Sequence, residues 1–191
     1  MKRPKATAAN LLATKYESIK HAWETETDRG LALVMAAYFD DLLDELLRRS
    51  LIDDNAVVKR LLDSDRAVST FSARIDLAYA MGLITKGLYK TLHQIREIRN
   101  HFAHVGGARD FNDTGMKDRC DALHALDPTL AKMTSPADHS KMKFIAAVSL
   151  ALMEFQVWIR RATHAVVREM RDASEENEEQ GEETRESPQS E

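Results

Sequence analysis

Apolar positions along most of this chain recur every three or four residues, the spacing of one helix face; strands would alternate them every second residue. The clearest stripe is Leu31, Val34, Met35, Tyr38, Leu42 and Leu46. Thr27-Asp28 supplies an N-cap ahead of it, and the helix is predicted to run to about Ser50. A first helix is expected over about 7–23. Asp53-Asp54 caps a short helix to about Leu62. Ser64 or Ser69-Thr70 opens the next, with Phe71, Ile75 and Ala78 inward and Gly82 closing it. Thr85 caps a helix through about Phe102, which ends before Gly106-Gly107. A polar stretch with Asp110, Asn112, Asp113 and Gly115 leads to a short helix near 116–126. Residues 128–137 read as a loop, and Asp138 or Ser140 starts a last long helix ending near Arg171.

The punctuation agrees with that pattern. No proline occurs between Pro4 and Pro128, and the whole chain of 191 residues has 7 glycines. Strands need frequent turn chemistry, which this body lacks. The expected fold is all-α, a bundle of about five to seven helices in a single domain over residues 1–171. Composition changes the picture at one end only. The net charge is −4, from 27 Lys+Arg and 31 Asp+Glu. Nine of the acids and one base fall in 172–191, so that tail carries −8 and the preceding 171 residues carry +4. The tail cannot bury enough apolar surface to fold and is expected to be a disordered acidic segment. A body charge of +4 is too mild to predict nucleic-acid binding by itself. One cysteine, Cys120, excludes an internal disulfide and a cysteine-rich zinc site. The longest near-apolar run, 144–153, is half the ~20 residues of a membrane span, and no apolar stretch follows the basic start. A cytoplasmic, reducing location with no membrane contact is the expectation.

One helix carries the informative residues. Along TKGLYKTLHQIREIRNHFAH, Leu88, Leu92, Ile95 and Phe102 form a stripe, and Arg99 falls near its middle. An arginine buried there needs an acid, since an unpaired buried charge is costly. Asp41 and Glu45, four apart beside the Leu42/Leu46 stripe, are the candidate partners, with Arg74 competing for them. Arg74, Arg99, Asp41 and Glu45 are therefore expected to form a structural polar core.

Two resemblances add to this. Arg99-Asn100-His101-Phe102-Ala103-His104 has the form R-N-x-x-x-H, which resembles the signature of the HEPN superfamily of helical bundles, many of them metal-independent ribonucleases. The resemblance implies catalytic roles for Arg99, Asn100 and His104 on a scissile RNA phosphate. The residue types suit that chemistry: a guanidinium steadies phosphate charge and an imidazole moves a proton near neutral pH. Against it, Arg99 and His104 lie about 140° apart around a continuous helix, so they converge only if the helix frays or a dimer juxtaposes two copies.

The second resemblance is longer. Leu61-Leu62-Asp63-Ser64-Asp65, then Phe71-Ser72-Ala73-Arg74-Ile75-Asp76-Leu77-Ala78-Tyr79-Ala80-Met81-Gly82-Leu83-Ile84, then Tyr89 and Arg96-Glu97-Ile98-Arg99-Asn100, are similar to the mannitol operon repressor (MtlR/YggD) family. It implies an all-helical transcriptional regulator without an obvious DNA-binding element, acting through a protein partner and, as in the HEPN superfamily, as a homodimer. The regulator is the leading expectation and the ribonuclease the alternative; RNA is a partner only under the alternative, and DNA contact is left open.

The remaining signals are weaker. His101 and His104 lack a third ligand nearby, so no metal site and no cofactor is expected. His93, His124, His139 and His164 read as solvent-facing. Arg160, Arg161, Arg168 and Arg171 read as a solvated face, and Phe155, Trp158 and Met153 as core or dimer contact.

Overall fold

Thr27 does what its position at the head of the first clear stripe asks of it: its hydroxyl accepts the Gly30 N–H at 3.1 Å, and a 23-residue helix follows over Asp28–Ser50. The structure, a computed structural model, describes residues 19–63, 65–104, 110–123 and 139–166. Among these are seven helices and no strand: α1 over 19–25, α2 Asp28–Ser50, α3 Asn55–Leu62, α4 Phe71–Ala80, α5 Lys86–His104, α6 Thr114–Ala122 and α7 His139–Arg161. The start of the expected first helix, the loop at 128–137 and the acidic tail lie outside the described residues.

Local chemistry sets the helix ends. Asp54 accepts from the N–H groups of Ala56 and Val57, Thr70 from Ala73 and Thr85 from Leu88. Each short side-chain oxygen satisfies a donor that the first turn leaves free. At the far end of α4 the Gly82 N–H donates to Tyr79 O and the Leu83 N–H to Ala78 O, both at 2.9 Å. That pair of bonds requires a left-handed residue, and Gly82 sits at φ 69°. Open space surrounds its missing Cβ, so Gly82→Ala is a test of backbone strain alone. The expected result is a loss of about 1 kcal/mol in urea titration.

α2 is the central element and packs against α4, α5 and α7. Its buried face holds Leu31, Met35, Phe39, Leu42, Leu43, Leu46 and Leu47. Phe39, not Tyr38, points fully inward, and Val34 is 39 % exposed, so the stripe is rotated by about one residue from the expected one. Burial, and secondarily the nearby Asp41 charge, pushes the Tyr38 phenol up to about 12. Phe102, Phe111 and Phe144 stack across α5, the approach to α6 and α7, with successive ring centroids 5.3 and 5.1 Å apart.

α7 differs from its expectation at the end. It stops at Arg161, not near Arg171, and residues 162–166 run without helix. The cause is tertiary. The Ala165 N–H donates to Ser50 O at 3.1 Å and the His164 ring lies 2.8 Å from Leu51 O, so the departing chain caps the carbonyl end of α2. The 22 residues Ser140–Arg161 are long and apolar enough, by length and composition, to cross a membrane. Their inner side, with Phe144, Val148, Ala151, Phe155 and Ile159, is buried against the bundle, which is the pattern of a core helix.

Cys120 lies inside, on α6, and is fully covered. Burial, then the neighbouring Asp121 charge, pushes its thiol from 9.0 up to about 12. Only the thiolate reacts with disulfide reagents, so the native protein at pH 8 is expected to leave such a reagent unconsumed until denaturant is added. The sign of the linked stability follows: between 9.0 and about 12 the unfolded thiol has lost its proton and the native one keeps it. Stability therefore falls as pH rises through that window, and melts recorded across it check the direction.

Candidate functional site

The fold brings the informative residues together differently from the sequence expectation. Arg74 on α4 is the deeply set guanidinium, its side chain 13 % exposed. Its Nη1 donates to Asp40 Oδ1 at 2.8 Å, and its Nη2 to Leu62 O at 3.1 Å, with Asp44 Oδ1 at 3.3 Å. The acids it uses are thus Asp40 and Asp44, not Asp41 and Glu45. One step along a helix turns the side chain by about 100°, and of each adjacent acidic pair the earlier residue faces α4. Glu45 instead pairs with Arg49 one turn on. Asp41 is an exposed residue that lines a shallow hollow with Asp44, Arg48, Asp63 and Arg74. Arg48 extends the network by bridging Asp44 at 2.7 Å and Asp63 at 2.8 Å. Its pKa is raised, first by the hydrogen bond to Asp44.

Arg99 is not in the apolar seam. The stripe of α5 runs Leu88, Thr91, Leu92, Ile95, Ile98, Phe102. From Ile95 the buried row steps three to Ile98 and four to Phe102, which turns Arg99 outward by about 100°. Arg99 is exposed, and its Nη1 donates to Asn100 Oδ1 at 2.9 Å. His104 is exposed at the end of the helix, and among the described residues no hydrogen bond or ion pair joins it to Arg99.

Arg99 and Asn100 instead face a cleft of about 440 Å³ between α2, α4 and α5. One wall is apolar, with Leu33, Ala36, Ala37 and Phe71. The other carries Arg96, Arg99 and Asn100; Asp40, Thr70 and Ser72 complete the lining. Arg96 Nε is shielded from water and has no acceptor among the described residues.

A second polar cluster was not expected. Asp76 Oδ1 accepts from the Tyr89 hydroxyl at 3.1 Å and lies 3.2 Å from His93 Nε2. Tyr79 and His93 flank the Tyr89 ring at 4.5 and 4.6 Å. His93 is therefore partnered, not simply solvent-facing. The hydrogen bond to Asp76 raises the Tyr89 pKa. The four-residue spacing of Tyr89 and His93 was a visible signal; the acid on the neighbouring helix was not.

The family model described as mannitol repressor matches residues 17–171. The chain belongs to the mannitol repressor family. It is thereby a transcriptional regulator of the repressor type. Two solved structures are similar in fold. One is the MtlR–HPr complex from Escherichia coli, with 20 % identity and a TM-score of 0.52, covering 79 % of this chain and 99 % of that one. The other is YggD from Shigella flexneri, described as a possible transcriptional regulator, with 14 % identity and a TM-score of 0.58, covering 85 % and 100 %. No curated protein matches the chain. In this mannitol repressor family member the R-N-x-x-x-H residues stand on a continuous helix, with the arginine and asparagine toward the α2–α4–α5 cleft.

Proposed function

We propose that this chain regulates transcription without catalysing a reaction, by contact with another protein, and that it does so as a homodimer in the cytoplasm. The observation that carries the reading is the family match over 17–171. The Escherichia coli relative was solved bound to HPr, so an HPr protein is the partner to test first. The outer side of α7 supports protein contact: Met142, Met153 and Val157 are 45 %, 65 % and 45 % exposed and share one side of the helix. In this reading Arg99, Asn100 and His104 carry no catalysis, Arg74 and its acids fix helix register, and neither a cofactor nor a metal takes part.

The test is to titrate purified HPr into the full chain and follow complex formation by sedimentation. A saturable complex is expected, weakened at least tenfold by Met153→Glu, and light scattering of the free chain should give twice 21.6 kDa. Single-stranded RNA should survive prolonged incubation with the protein and a chelator. RNA cut to 2′,3′-cyclic phosphate ends, with the cutting lost in His104→Ala, would replace the regulator by the ribonuclease reading.

A further inference from the structure

We propose that the cleft between α2, α4 and α5 binds a small organic phosphate, held by the guanidinium groups of Arg96 and Arg99. Positions 96, 99 and 100 are three and four apart and project from one side of α5 into the cleft. Among the described residues neither arginine pairs with a carboxylate. Arg96 Nε lies out of water with no acceptor among the described residues. Arg99 donates to the neutral amide oxygen of Asn100, which does not balance its charge. The carboxylate in the lining, Asp40, is already bonded to Arg74 at 2.8 Å. The cleft therefore holds two guanidinium groups, which is the chemistry that recognises a planar or tetrahedral oxyanion through paired N–H bonds.

The opposite wall sets the ligand class further. Leu33, Ala36, Ala37 and Phe71 offer apolar surface that a bare anion leaves uncovered. A phosphate bearing a carbon body uses both walls, and a volume of about 440 Å³ suits a small molecule. Thr70 and Ser72 bring hydroxyl groups to the same lining. This site stands apart from the protein-contact reading, because binding is measured on the purified chain with no partner present.

The probes are phenyl phosphate and inorganic phosphate, titrated calorimetrically into the full chain at low salt. Saturable binding of one phenyl phosphate per chain is expected, several-fold tighter than inorganic phosphate because the ring covers the apolar wall. Arg96→Gln and Arg99→Gln should each weaken it about tenfold or more. Both variants should melt as the parent does; if Arg96→Gln unfolds, the exposed Arg99 carries the test. Lys59→Gln, on the exposed side of α3, should bind as the parent. Any of four results overturns the proposal: no saturable binding at high ligand, equal affinity for inorganic phosphate, equal weakening by Lys59→Gln, or displacement of phenyl phosphate by a short RNA that binds more tightly.

Discussion

Phe111→Ala is expected to lower the stability of the protein by about 3–5 kcal/mol, the largest effect of any single truncation considered. Phe111 is 1 % exposed and stands between Phe102 and Phe144, edge-on to one ring and tilted on the other. It therefore joins α5 to α7 through a segment that belongs to neither. Its own N–H donates to Asp28 Oδ2 at 3.0 Å, and Asp28 also pairs with Lys141 at 2.8 Å. Removing the ring leaves a space bounded by two aromatic side chains that cannot both close on it, so the cavity cost adds to the lost transfer energy. Urea titration checks this as a lower midpoint with an unchanged slope. A loss under about 1 kcal/mol would mean that the three rings are not a mechanical unit.

The second large effect is at Arg74. Arg74→Ala should cost about 2–4 kcal/mol, somewhat below the range for a fully buried pair because Asp40 and Asp44 keep some solvent. The side chain holds two acids and the last carbonyl of α3 at once; without it Asp40 and Leu62 O lose their partner together, while Asp44 keeps Arg48. Arg74→Met keeps most of the stem volume and should still lose most of the stability. Adding Asp40→Asn to it should restore part, since the cost lies chiefly in a carboxylate left without its partner. No recovery in the double variant would assign the effect to packing of the stem.

The helix boundaries were legible because their chemistry is local. Thr27, Asp54, Thr70 and Thr85 cap from within four residues of the groups they serve, and Gly82 closes α4 by its own dihedral freedom. The family was legible too, in the Ser72–Ile84 string and the Arg96–Asn100 string. Side-chain direction was legible only to about one residue. In α5 both 95–99–102 and 95–98–102 are helical spacings, and which residue turned in was settled by the burial of Ile98 over Arg99. Asp40-Asp41 and Asp44-Glu45 posed the same ambiguity, which only the position of α4 resolved. The Asp76–Tyr89–His93 cluster, the Arg48–Asp63 bridge and the capping of Ser50 by Ala165 join residues 13 or more apart in sequence, and no local pattern announces them.

Both ends of α2 are tethered to distant parts of the chain. At its start Asp28 is tied to Phe111 and Lys141; at its finish Ser50 and Leu51 receive Ala165 and His164. Terminal turns of a helix ordinarily fray and trade their amide protons with solvent far faster than the middle. Here a rod moored at bow and stern has no loose turn to give up. Its outermost amides, Leu51 among them, should exchange on nearly the same clock as its centre, so that opening this helix means opening the whole bundle.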